Sequence, residues 1–448
     1  MKLHSPYNLL GVLMCLSIIS CSSDDDSPGG TTPTPEPQLE LAKVYGGTKN
    51  DRGHSIAKTS DGGYVILGYS QSADGDITDK DNESFDYWVL KFSANHELQW
   101  SKTYGGSDDD RGNAIIQTQD GGYAILGYSS SSDGDVSENA GAQDYWIAKL
   151  DTNGNLVWQK SYGYSGSDIG NTILQSNDGG YLITGVLDVT ASGGEGNTRN
   201  ANSRHAGGDY WAIKLNASGN REWSKYYGGS FTDTPFDAIQ TADNGYIIVG
   251  SSDSDDVDIQ NNIGTYDFWV VKISETGTLV WEKSFGGTEI DEARGIVESG
   301  DGNYLIAGDT RSSDVNVSSN KGAADLWLIK ITPEGNLVWE KTYGGSSFDV
   351  ARSIQKSNNN SFIISGSSRS ADGDVEENKG QNDAWIVLVD GSGNLMFQKT
   401  VGGSQIDFCY DATVLENNTI IAVGESNSSD GDIEENKGFS DLLIVKTK

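Results

Sequence analysis

Short runs of alternating apolar and polar residues, each closed by a Gly- or Asn/Asp-rich turn, recur from Leu39 to the end of the chain. One unit shows the pattern. Asn113–Thr118, Tyr123–Ser129, Tyr145–Leu150 and Leu156–Ser161 each carry the two-residue period of a strand. Asp120-Gly121-Gly122 parts the first two runs and Asp151-Thr152-Asn153-Gly154-Asn155 the last two, both with hairpin-turn chemistry. No window sustains a helical period. An Asp five residues after the first glycine of each unit recurs as Asp51, Asp110, Asp168, Asp233, Asp291, Asp349 and Asp407, at spacings of 59, 58, 65, 58, 58 and 58. A second Asp, before the third run, recurs as Asp86, Asp144, Asp209, Asp267, Asp325, Asp383 and Asp441. Four strands per unit, seven times over, predict an all-β fold, a seven-bladed β-propeller of four antiparallel strands per blade.

The ends of the chain are out of phase in a way that a ring explains. The seventh unit stops after its third strand pattern, Leu442–Thr447, while a lone strand pattern, Leu39–Tyr45, precedes the first unit. Pairing these two closes the ring and leaves no open sheet edge. The propeller is therefore expected over residues 39–448.

Repetition also decides what most of the eye-catching residues do. All eleven tryptophans occupy two repeat positions: Trp88, Trp146, Trp211, Trp269, Trp327 and Trp385 in third strands, and Trp100, Trp158, Trp223, Trp281 and Trp339 in fourth strands. A sugar-stacking platform needs one or two exposed rings, whereas eleven in register pack twisted sheets face to face. The two sevenfold aspartates are expected to accept hydrogen bonds from turn amides, because a catalytic pair needs one asymmetric place where two pKa values are driven apart.

Composition changes the picture in two ways. Against 31 Lys+Arg stand 65 Asp+Glu, and a net charge of −34 argues against nucleic acid or an anionic membrane surface as partner. Residues 1–20 read as a signal peptide: Lys2 is followed by an apolar run, Leu9 to Ile19, too short to span a bilayer. Leu16-Ser17-Ile18-Ile19-Ser20-Cys21 resembles the lipobox of bacterial lipoproteins, which makes Cys21 the acylated first residue of the mature chain. The acidic run Asp24-Asp25-Asp26 resembles the signal that sends Bacteroidota lipoproteins to the outer face of the outer membrane. With Pro28, Pro33, Pro35 and Pro37, residues 21–38 read as an extended tether. Of three cysteines, Cys15 leaves with the signal and Cys21 carries lipid, so Cys409 remains unpaired in an inner strand, where a small buried apolar role is expected.

Candidate binding chemistry lies in the loops between second and third strands. Asp133-Gly134-Asp135, Asp372-Gly373-Asp374 and Asp430-Gly431-Asp432 place acidic oxygens around a bent backbone, with variants at Asp74/Asp76, Asp256/Asp258 and Asp314/Asn316. Two readings stay open: weak Ca²⁺ binding of the extracellular kind, or acidic loops that cap themselves. These loops and the inter-blade loops are expected on one face of the disc, with the tight turns on the other. Ligands are expected on the long-looped face or at the channel mouth. Blade three breaks the repeat with a loop, residues 188–208, seven residues longer than its counterparts and carrying Asp188, Glu195, Arg199, Arg204 and His205. Blade four departs at Pro235 and Phe236. Catalytic constellations are missing: His54, His96 and His205 sit at unrelated repeat positions, and there is no Gly-x-Ser-x-Gly elbow or phosphate-binding glycine loop.

The YGGS-x-x-D, DGGY, S-x-DGDV and D-x-W units resemble those of the β-propeller repeat lipoproteins of Bacteroidota. The resemblance covers Leu39 to Lys448 and implies a surface lipoprotein held at the membrane by its lipid alone. Three functions remain in view: binding an extracellular glycan or surface protein without catalysis and without a required cofactor, serving as a scaffold in an outer-membrane assembly, or acting as a glycoside hydrolase or lyase. The last would draw on Asp188 and Glu195.

Overall fold

The computed structural model describes residues 37–192, 208–358 and 360–448, so the signal, Cys21 and most of the tether lie outside the described residues. From Leu39 onward the chain forms seven four-stranded antiparallel sheets. Blade one runs Asp51–Lys58, Tyr64–Ser70, Asp86–Phe92, Leu98–Tyr104 from centre to rim, and five further blades repeat that order. In the seventh, Asp407–Val414, Ile420–Ser426 and Asp441–Thr447 are completed by Leu39–Tyr45, which pairs antiparallel with the last strand. Its register sets Val44 opposite Leu443 and Tyr45 opposite Leu442. The swapped-strand closure expected from the sequence is thus the observed one.

Each blade is a sandwich filling for the next. Tyr87 packs on Trp146 at 4.6 Å between ring centroids, Tyr145 on Trp211 at 4.8 Å, Tyr210 on Trp269 at 4.5 Å and Phe268 on Trp327 at 4.6 Å. The Tyr87 and Tyr210 hydroxyls also donate to the backbone carbonyls of Trp146 and Trp269, both at 3.0 Å. All six third-strand tryptophans are buried, so the packing role holds for them. The five in fourth strands are half-buried for a different reason: each lies under the turn glycine of the following blade. A Cβ on Gly219 (φ 76°) would stand 2.6 Å from Trp158, so this turn position needs glycine both for its backbone and for the close approach. Cys409 is buried as expected. Among the described residues the one departure from all-β is a single helical turn, Val189–Ser192, where the long loop leaves blade three.

Candidate functional site

The repeated carboxylates hold the blades together. At or just before the start of every inner strand stands an Asp whose amide donates to the carbonyl just before the preceding blade's third strand, as Asp291 does to Tyr266 at 2.7 Å. Its side chain accepts from the second glycine of the incoming loop: Gly47 N to Asp51 Oδ2 at 2.7 Å, with counterparts at Gly106/Asp110, Gly229/Asp233, Gly287/Asp291, Gly345/Asp349 and Gly403/Asp407. In blade three Tyr164 takes the glycine's place. The second aspartate set accepts from loop amides, for example Lys321 N to Asp325 Oδ2 at 2.7 Å. The two sets face each other across each junction. Burial, reinforced by Asp291, pushes Asp267 up to about 7, and burial, reinforced by Asp349, pushes Asp325 up to about 6. At the first junction Lys80 replaces the asparagine of other blades and pairs with Asp86 at 3.2 Å.

The Asp-Gly-Asp loops fold back onto the glycine loop of their own blade. Asp133, Asp372 and Asp430 accept from the amides of Ser107, Ser346 and Ser404 at 2.8, 2.7 and 2.7 Å. Asp135, Asp374 and Asp432 accept from Gly105, Gly344 and Gly402 at 3.3, 3.1 and 3.2 Å. Asp432 also pairs with Lys379 at 3.1 Å. Each loop thus caps the glycine turn of its own blade, and among the described residues no three His, Cys, Asp or Glu side chains group to hold a metal. Asp133 and Asp135 do line a surface cavity of about 310 Å³ at the junction of blades one and two. These contacts also put both loop classes on one face, as expected. In the blade-three loop, the Asp188 amide donates to Asp168 Oδ1 at 2.8 Å, while Glu195, Arg199, Arg204 and His205 lie outside the described residues.

The place where the repeat gives way to individuality is the central channel. Each inner strand carries a β-bulge three residues after its first Asp, between Gly53 and Ser55, Gly112 and Ala114, Gly170 and Thr172, Pro235 and Asp237, Ala293 and Gly295, Ala351 and Ser353, and Cys409 and Asp411. A bulge leaves one residue out of the ladder and re-aims its side chain. The seven bulged residues are His54, Asn113, Asn171, Phe236, Arg294, Arg352 and Tyr410, and together they line a cavity of about 230 Å³ on the propeller axis. A larger cavity of about 470 Å³ takes in the same ring and continues along the inner strands to Lys356. That volume is within the range of small-ligand sites.

Around this ring the chemistry changes sector by sector. His54 Nδ1 lies 2.9 Å from the Asn113 carbonyl, which can only accept, so the proton sits on Nδ1 and Nε2 is left as an acceptor. Burial, with Arg52 and Arg352 adding to it, holds His54 down to about 4 and so neutral. Asn113 and Asn171 donate their amide nitrogens to the carbonyls of Gly170 and Pro235 at 2.9 and 2.8 Å, which leaves their oxygens as acceptors. Opposite stand Arg294, its guanidinium 4.0 Å over Phe236 and bonded to Glu292 at 2.9 Å, and Arg352. Arg352 makes no hydrogen bond or ion pair with any described residue, and burial together with Arg294 holds its guanidinium below the usual value. Tyr410 is fixed by its hydroxyl on Glu425 at 2.6 Å, by stacking on His54 at 5.3 Å, and beside Arg52, which chelates Glu425. Just below the ring, Asp237 and Asp411 accept from the amides of Ile296 and Ile56 in the following blade, both at 3.0 Å. In the sequence this site is one of several variable columns of the inner strand, marked off only by its place three residues after a constant Asp, and Phe236 is one member of it.

No protein-family model matches the chain. Over 244 residues, 49% of its length, it is 23% identical to Regulatory protein FlaEY of Caulobacter vibrioides, and the match spans 25% of that protein. The chain thus matches about a quarter of the length of this relative. Among solved structures it is similar to Sqt1 from Chaetomium thermophilum, with a TM-score of 0.47 at 10% identity over 91% of this chain and 99% of that one. It is also similar to a puromycin hydrolase, at 0.48 and 10% over 85% of this chain and 51% of that one. For the β-propeller domain of the Trilobed protease from Pyrococcus furiosus the values are 0.43 and 9% over 92% and 95%. None of these likenesses bears on activity.

Proposed function

We propose that this protein is a non-catalytic binding protein of the cell surface, lipid-anchored through Cys21 in the outer membrane and facing outward, that takes a glycan or protein ligand from the long-looped side into the channel. The observation that carries the reading is the bulge ring: seven side chains of five kinds, one from each blade, that converge on one axial cavity. Charged, polar and aromatic side chains gathered around one cavity of a symmetric scaffold are what a ligand site requires. Asp237 and Asp411, the carboxylates lining the larger cavity, are engaged by backbone amides, which favours binding over acid–base chemistry.

The test is retention of the whole chain on immobilised polysaccharides, beside a pull-down of surface proteins. The expected result is retention by one of these, lost when Arg294, Arg352 and Asn171 are replaced together, with no sugar released. Release of product sugars, or capture indifferent to the ring, would overturn the proposal. Ca²⁺ has no part in this reading, so chelation is expected to leave both retention and melting temperature unchanged. Loss of palmitate labelling and of surface exposure in Cys21→Ala tests the anchor.

A further inference from the structure

The channel ring is polarised, and its polarity specifies a ligand. Blades one to three contribute an arc of acceptors: His54 Nε2 and the side-chain oxygens of Asn113 and Asn171. Blades five and six contribute an arc of donors, the guanidiniums of Arg294 and Arg352. Phe236 and Tyr410 stand at the two seams between these arcs. Arg352 has no partner among the described residues, and Arg294 Nε is buried without a hydrogen bond. Half-buried guanidinium donors left unmade are costly, and in a chain of net charge −34 they run against the prevailing field.

The same sector leads outward. Arg311 and Arg369 are exposed at the long-looped ends of the second strands of blades five and six, flanking Phe348 at 5.9 and 5.7 Å. Glu292 and Asp309, the latter 3.9 Å from Arg294, offset only two of these four cations. A cationic track therefore runs from the long-looped face to the ring.

We infer that the ring holds an acidic sugar residue, its carboxylate or sulfate on Arg294 and Arg352 and its hydroxyls donating to His54, Asn113 and Asn171. A neutral sugar would leave the Arg352 guanidinium unpaired. A bare inorganic anion would leave the acceptor arc unused. A guanidinium fork matches a planar or tetrahedral oxyanion, and Phe236 beneath Arg294 holds that fork in place. This inference rests on the binding reading above and names the ligand class of that same site.

The experiment is calorimetric titration of the whole chain with oligosaccharides of galacturonate, of glucuronate and of sulfated galactose, each beside its carboxyl-reduced or desulfated partner. One acidic member is expected to bind about tenfold or more tightly than its neutral partner, with affinity falling as salt rises. Arg352→Gln is expected to remove that preference without lowering the melting temperature, because Arg352 holds nothing in the protein, and Arg352→Lys to restore part of it. The uronate and sulfate arms tell the two oxyanions apart. Equal affinity for an acid and its neutral partner would overturn the inference and leave the binding reading standing. So would tighter binding of a peptide carboxyl terminus than of any sugar acid. Binding by no oligosaccharide would overturn it as well, and only capture of ligand indifferent to the ring would bring down both.

Discussion

Asp291 and Arg294 stand three residues apart in one inner strand, and they belong to different orders of the molecule. Asp291 has an identical counterpart in every blade, is fully buried, and spends its carboxylate on Gly287, Thr310 and Ser312. Arg294 shares its position with a histidine, two asparagines, a phenylalanine, a second arginine and a tyrosine, and it faces a cavity. The first position welds blade to blade; the second is free to differ because the bulge lifts it out of the ladder and out of the core. What separates scaffold from site here is a one-residue irregularity in pairing, repeated seven times.

The contrast can be broken most severely at the seam. Removing residues 39–45 exposes the edge of Asp441–Thr447 and deletes the partner of Val445 and Leu443, so cooperative unfolding is expected to be lost or the melting temperature to collapse. An unchanged melting curve would show that the ring does not depend on this strand. Within a blade, Asp291→Ala strands three buried donors and is expected to cost about 3 kcal/mol in denaturant unfolding, even after relief of the facing Asp267. Asn171→Ala, at the bulge position, forfeits one hydrogen bond to Pro235 and is expected to cost only about 1 kcal/mol.

Acidity acts on the welds. Asp233 and Asp267, raised to about 7 by burial and then by a facing carboxylate, bind protons more tightly folded than unfolded. Their contribution is complete below the unfolded value and is lost as pH rises through about 7, so unfolding free energy is expected to fall by on the order of 2 kcal/mol from pH 5 to pH 8. At the other end, hydrogen bonds from Lys272 and Thr241 hold the turn carboxylate of Asp243 down to about 2, so stability is lost again as pH drops through that value. Flat stability from pH 5 to 8 would mean the junction pairs are already neutralised. The smallest expected effect is a gain. Val315 occupies the glycine position of its Asp-Gly-Asp loop at φ 54°, and Val315→Gly is expected to stabilise by about 1 kcal/mol, read as a rise in melting temperature.

The scaffold was legible because repetition multiplies weak signals: strand count, closure by Leu39–Tyr45 and the buried third-strand tryptophans all follow from position within the unit. The inner strand shows why the site was not. Alternation predicts a strand from Asn113, whereas the observed strand begins at Asp110, because the bulge at Asn113 resets the phase and hides the residues before it. The irregularity that makes the site is the one that blurs its period. The Asp-Gly-Asp loops misdirect attention in the opposite sense: Gly134, at φ 65° and with a would-be Cβ 2.4 Å from the Gly105 carbonyl, makes that signature a requirement of backbone fit. Of the blade-three loop's candidate residues only Asp188 lies in the described structure, beside the junction and not in the ring.

The central claim, that scaffold and site are divided at the bulge, is tested most directly by replacing His54, Asn113, Asn171, Phe236, Arg294, Arg352 and Tyr410 with alanine together and measuring melting and ligand retention on the same preparation. The expected result is a folded, cooperatively melting ring that no longer retains the ligand captured by the wild-type chain. A variant that still retains it would contradict the account, because recognition would then lie outside the channel.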